Sequence, residues 1–156
     1  MVRHGFTLVE ILVTLTVIAI TAAVALPNLA PSNTQRLRRE AQRIALAMEN
    51  ARDEAVYLGA PVGWRLEEKE KRILFFRPAG GDGWTFSAVG GMAAIDPVEG
   101  VTLEDVTMDG VKADPEKTAV FHPQGFATEF AITLALEDKT AIIRCGPLGR
   151  ISVEAP

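Results

Sequence analysis

One carboxylate inside an apolar run, with a glycine just ahead of that run, is the arrangement in this sequence that asks for chemistry. Gly5-Phe6-Thr7-Leu8-Val9-Glu10 opens a segment that stays apolar as far as Leu26, and Glu10 is its one ionisable side chain. A carboxylate in a membrane span costs about 2.5–3.5 kcal/mol on insertion scales, and such a residue is a functional hypothesis by default. Its simplest remedy is a cation at the same depth. Hydrolysis of the Gly5–Phe6 bond would make one, the new amine of Phe6. Were the chain cut there, the freed amine could pair with a carboxylate.

Chemistry done by the chain finds little support. A cut after Gly5 would remove His4 and leave His122, which sits beside Pro123 and reads as a turn residue. No nucleophile, base and orienting group form a recognisable set. One cysteine and one histidine do not make a zinc site. Asp82, Asp96, Asp105, Asp109 and Asp114 lie in or near loops without calcium-loop spacing. Gly80-Gly81-Asp82-Gly83 precedes no helix pattern and reads as a flexible turn, not a phosphate cradle. No cofactor is expected. Cys145 lies in an apolar strand and reads as packed, as does Trp64, while Trp84 is left open between core and interface. A membrane-anchored enzyme is thus the weakest of the readings.

The elements that must place Glu10 follow from the pattern. Residues 6–26 number 21. At helical rise they span about 31 Å, close to the ~30 Å hydrocarbon core of a bilayer. A plain anchor or a secretory signal peptide would have this length too. A signal peptide, however, keeps a small-residue cleavage site after its apolar region, and Leu26-Pro27-Asn28-Leu29-Ala30 matches that poorly. Thr7, Thr14, Thr16 and Thr21 can return their hydroxyls to the helix backbone. Pro27 removes a donor and breaks or kinks the helix.

An amphipathic helix is expected over about 32–58. Leu37, Ala41, Ile44, Met48, Ala51, Ala55 and Leu58 recur at alternating steps of four and three, and Gly59 with Pro61 supplies the stop. Arg38, Arg39, Glu40, Arg43, Glu49, Asn50, Arg52 and Asp53 make the solvated face. Beyond Gly59 the period becomes two. Val62 to Leu66 and Arg72 to Arg77 read as a hairpin, and Trp84 to Phe86 and Val101 to Val106 as strands. Gly90 to Gly100 reads as irregular, Asp109-Gly110 as a turn and Ala113 to Lys117 as exposed loop. Ala119 to Phe121, Phe126 to Leu136, Thr140 to Cys145 and Arg150 to Val153 complete the pattern, with turns at Pro123-Gln124-Gly125, Asp138-Lys139 and Pro147-Leu148-Gly149. One long helix followed by about seven hairpin-linked strands predicts an α+β domain, the helix packed on an antiparallel sheet.

Charge excludes one partner class. Sixteen Lys and Arg against twenty Asp and Glu leave a net charge of −4, which argues against a nucleic-acid binder relying on phosphate neutralisation.

Gly5-Phe6-Thr7-Leu8-Val9-Glu10 with its apolar run resembles the processing site of type IV prepilins and of type II secretion pseudopilins. The resemblance implies a leader of residues 1–5 ending in Gly5 and removed by a prepilin peptidase. It implies N-methylation of Phe6, pairing of Glu10 with a neighbouring subunit's N-terminus, and a helix kink at Pro27. It also implies a transmembrane and assembly helix over 6–26 and a pilin-like globular domain over 27–156. The last third is similar to the H-type minor pseudopilin and FimT group: Phe121-His122-Pro123-Gln124-Gly125-Phe126, an alternating strand, then Gly149-Arg150-Ile151. The implied function is a minor pseudopilin of the type II secretion pseudopilus. Its partners would be other major and minor pseudopilins, and its globular domain would sit outside the inner membrane. Charge alone would reverse that orientation: Arg3 stands on the leader side, against Arg36, Arg38, Arg39 and Arg43 within about 17 residues of the far end. The alternative reading is a FimT-like minor pilin of a type IV pilus, serving pilus assembly or DNA uptake. Such DNA binders carry a basic C-terminal patch, whereas Gly149 to Pro156 has one Arg and one Glu.

Overall fold

The computed structural model describes residues 7–25, 31–80 and 83–156. They fall into two units, Met1–Ser32 and Asn33–Pro156. Gly5, Phe6, the Pro27 kink and Asp82 lie outside the described residues.

The first unit contributes helix α1, Leu8–Ala25. Thr7 caps it: the hydroxyl accepts the Glu10 N–H at 3.3 Å, and the carbonyl accepts the N–H groups of Glu10 and Ile11 at 3.0 and 3.2 Å. Threonine three residues ahead of glutamate is the spacing of a capping box. Thr14, Thr16 and Thr21 donate their hydroxyls to the carbonyls of Glu10, Leu12 and Val17 at 2.7, 2.8 and 2.9 Å. Each threonine thus satisfies its polar group on its own helix, which suits apolar surroundings.

The second unit opens with α2, Asn33–Leu58. It ends where the backbone turns left-handed at Gly59, with φ 62°. The Ala60 N–H returns to the Ala55 carbonyl and the Gly59 N–H to that of Val56, at 3.2 and 3.3 Å, the bond pair of a Schellman cap. Leu37, Ala41, Ile44, Met48, Ala51 and Ala55 are fully buried, but Leu58 is 45% exposed. A strict heptad stripe drifts about 20° per repeat on a straight helix, so by Leu58 it has rotated off the core. Glu40 corrects the solvated-face expectation more sharply, being only 3% exposed.

Ten strands among the described residues form two antiparallel sheets, where periodicity predicts about seven in one. The first sheet has the order β3-β2-β1-β7: Trp84–Phe86, Arg72–Pro78, Val62–Glu67 and Ala119–Phe121. The short β4, Ala94–Ile95, pairs with β2 as well. The second sheet runs β10-β9-β8-β5-β6: Ile151–Glu154, Lys139–Cys145, Phe130–Leu136, Thr102–Met108 and Val111–Lys112. The strands absent from the expectation, β4 and β6, have two residues each, too few for a period to register. β4 lies in the 90–100 stretch read as irregular. Helix α2 packs on β8, β9 and β10 and also on β1 and β7.

Two boundaries move. β8 starts at Phe130 because the Phe126 carbonyl is taken by the His122 N–H at 2.8 Å, which bends the chain before the ladder begins. The β8–β9 turn is Glu137-Asp138, one residue earlier than expected, since Leu136 pairs with Lys139. Asp109 and Gly110, with φ 53° and 77°, link Met108 to Val111, the two-residue turn whose hand matches strand twist.

The core lies between the sheets. Trp64 of β1 meets Phe130 of β8 edge-on at 4.8 Å, and Phe121 of β7 meets the same ring at 6.1 Å. Trp64 and Phe121 are at most 1% exposed, so truncating either to Ala costs about 3–5 kcal/mol. Trp84 is half-buried. Its ring lies over Gly63, where a Cβ would come within 2.8 Å of Trp84 Cζ3.

Candidate functional site

Glu10 is the single acidic residue of α1 and sits in its first turn. That place suits it twice, since the capping box wants a glutamate and the helix N-terminus favours an anion. Around it Leu8, Val9, Leu12 and Leu15 are 60–81% exposed. A helix apolar on all sides belongs in a bundle or a lipid environment. The eighteen described residues of α1 rise about 27 Å. Among the described residues no helix is long and apolar enough to cross a membrane; the expected span also includes Phe6 and Leu26, which lie outside them.

The C-terminal motif resolves into a packing lock. In the β7–β8 loop the Gly125 N–H bonds the His122 carbonyl at 2.9 Å, and the Ala127 N–H bonds the Pro147 carbonyl of the next turn at 3.0 Å. Gly149 has φ 67°, and a Cβ there would stand 2.9 Å from the Gly125 carbonyl oxygen and 3.0 Å from Arg52 Cδ. Arg52, reaching over from α2, donates to the Gly149 carbonyl at 2.9 Å. The two glycines that carry the resemblance therefore meet, and α2 is tied to the Gly149 turn. His122 is exposed in its turn. Gly149→Ala should destabilise the domain by about 1–3 kcal/mol through backbone strain and contact, read as a lowered urea midpoint. An unchanged midpoint would refute the lock.

A second tie was not legible in the sequence. Glu40 accepts from Arg43 Nε and Nη2 at 2.9 and 2.6 Å and from the Val98 N–H at 3.1 Å. Arg43 Nη2 also donates to the Asp96 carbonyl at 2.6 Å, and Arg36 Nη2 to that of Glu99 at 3.0 Å. Arg36, Glu40 and Arg43, one helix face, thereby hold the 96–99 loop against α2. The spacing Glu40–Arg43 was the available signal, an i,i+3 ion pair. Burial of Glu40 depends on a loop 58 residues downstream.

The remaining candidate, Cys145, is 4% exposed. Burial pushes its thiol up to about 11. The folded value lies above the unfolded one of ~8.5, so the stabilisation is complete below about pH 8.5 and is lost as pH rises through the folded value. At pH 8 the thiolate fraction is about 1 in 1,000, so iodoacetamide should label native Cys145 roughly 100-fold more slowly than urea-unfolded chain. Equal rates would overturn the packed reading. Among the described residues no cluster of His, Cys, Asp or Glu could hold a metal ion.

Comparison with known proteins agrees with both halves of this arrangement. The model of the prokaryotic N-terminal methylation motif matches residues 1–26, and that of type II transport protein GspH matches residues 40–149. No curated protein sequence matches the chain. Among solved structures, the minor pseudopilin EpsH of the Vibrio cholerae type II secretion system shares the fold with TM-score 0.66 at 19% identity, covering 80% of this chain and 97% of that one. Escherichia coli GspH follows with TM-score 0.59 at 19% identity, covering 78% and 89%. The type IV minor pilin FimU of Pseudomonas aeruginosa gives TM-score 0.55 at 20% identity, covering 77% and 97%. The GspH model spans most of the globular unit, tied turns included, and the chain belongs to the type II transport protein GspH family, the H-type minor pseudopilins of type II secretion.

Proposed function

We propose that this chain works as a structural subunit near the tip of the type II secretion pseudopilus, supporting protein export across the outer membrane without catalysing a reaction. The observation that carries this reading is the joining, in one chain, of a methylation-motif helix with its acidic first turn to a GspH-family domain. In this reading prepilin peptidase removes residues 1–5 after Gly5 and methylates the amine of Phe6. Residues 6–26 anchor the chain by a single pass in the inner membrane, Pro27 kinks the helix, and the domain of residues 27–156 is periplasmic. On assembly α1 enters a bundle with major and minor pseudopilins, where Glu10 meets a neighbour's amine. Export from cells lacking the chain, together with the mass of the mature N-terminus, tests the proposal. A mature chain beginning at methylated Phe6 and a loss of export on deletion are expected; unprocessed chain, or undiminished export, would sink it.

The FimU likeness gives a second reading, a minor pilin of a type IV pilus. DNA uptake would call for a basic surface at the C-terminal end. There Arg144 is paired with Glu154 and Lys139 with Asp138, each at 3.2 Å, and exposed Arg150 lies in the turn between β9 and β10. Tight, salt-sensitive retardation of DNA in a gel would favour that reading.

A further inference from the structure

The arginines at the start of α2 are not absorbed by the function above. Residues 11–39 contain no Asp or Glu, yet Arg36, Arg38 and Arg39 close that stretch and Arg43 follows. Three of the first seven residues of α2 are arginine, and its first turn has no acid of its own. A helix N-terminus disfavours cations. Glu137 reaches its first residue, accepting from Asn33 at 2.7 Å. Arg43 is engaged by Glu40, and Arg36 uses one N–H arm on the Glu99 carbonyl. Arg38 and Arg39 are exposed, and neither takes part in an ion pair among the described residues. Arg36, Arg39 and Arg43 line a shallow notch with Glu40, Val98 and Glu99. Local stability therefore does not explain Arg38 and Arg39, whose guanidiniums present free donors to an anion, and Arg36 keeps a second arm.

We propose that Arg36, Arg38 and Arg39 dock on the phosphates of anionic phospholipid headgroups at the surface of the membrane that holds α1. The inference rests on the membrane-anchored reading above. Ten residues separate Leu26 from Arg36. Even fully extended, ten residues reach at most about 35 Å, so the arginines are tethered near the headgroups whatever path the chain takes. Side chains on a helix lean toward its N-terminus, which for α2 is the end nearer the apolar segment in sequence. Guanidinium binds phosphate through paired N–H donors, and basic residues near an anionic surface each gain about fivefold in binding. The domain would thus be held at the membrane until assembly lifts it away.

The test uses the full processed chain in nanodiscs of phosphatidylcholine, with or without phosphatidylglycerol. A spin label at Gln42→Cys, exposed and one turn from Arg38, reports its collision rate with a neutral, water-soluble nickel chelate; Cys145 is too buried to label. Collisions should fall several-fold in the anionic discs, recover in high salt, and not fall in R38Q/R39Q. Equal collision rates in both lipids, or a fall that persists in the variant, would overturn the docking site. Loss of co-purification of R38Q/R39Q with other pseudopilins, without any lipid effect, overturns it in favour of a protein partner. A chain that does not stay in either disc overturns the anchor itself, a failure distinct from the others.

Discussion

Glu10→Ala should leave removal of the leader intact and lower incorporation into the filament at least about tenfold, equivalent to 1.4 kcal/mol of lost assembly energy. The two halves of this prediction have opposite signs. A carboxylate in a membrane span costs about 2.5–3.5 kcal/mol, so the variant monomer should be more comfortable in the bilayer. Assembly, by contrast, loses the partner of a neighbour's amine in surroundings where water does not screen the pair. Glu10 also stands at the third position of the α1 cap, bonded to Thr7. Helix starting could therefore be mistaken for assembly. Glu10→Gln separates them, because glutamine serves a capping box while carrying no charge. Loss of incorporation in both variants, with normal cleavage, points to charge. Normal incorporation in Glu10→Gln and loss in Glu10→Ala would point to the cap, and normal assembly in both would remove the role altogether. Filament fractions probed for the subunit, beside immunoblots of precursor and mature chain, give the readout.

Arg43→Ala should be the more damaging half of the Glu40–Arg43 pair, costing about 3 kcal/mol or more. The reason lies in their unequal burial: the Glu40 side chain is 3% exposed and that of Arg43 44%. Without Arg43, a buried carboxylate keeps only the Val98 N–H as a donor. Without Glu40, the guanidinium turns to water, and the loss is the orphaned Val98 N–H and the loosened loop, about 1–3 kcal/mol. Neutralising the stranded group should restore part of the difference, so Arg43→Ala/Glu40→Gln should be more stable than Arg43→Ala alone. Urea titrations of the four proteins decide it. A Glu40→Ala loss as large as that of Arg43→Ala would show that burial does not govern this pair.

Helix α2, its stop at Gly59, the first hairpin and the β8–β9 return strand were legible because each is written in neighbouring residues. A stripe at steps of four and three, a glycine that can turn left-handed and an alternating run all act within a few positions. The apolar helix α1 with its lone carboxylate was legible for the same reason, since the unbroken apolar run around Glu10 is itself a local pattern. What depended on distant partners was not. The division of the strands into two sheets turns on β7 pairing with β1 while β8, next in the chain, pairs with β5 and β9. Glu40, polar by type and placed beside the arginines, reads as solvent-facing until the 96–99 loop covers it. Gly125 and Gly149 read as two independent turns, whereas contact between them, with Arg52 closing over Gly149, makes them one structure. By itself the sequence determined the local periods, the end of α2 at Gly59 and the lone carboxylate in an apolar helix. Only the tertiary structure decided which charges are buried and which turns meet, because burial and long-range contact are properties of the packed chain and not of any segment within it.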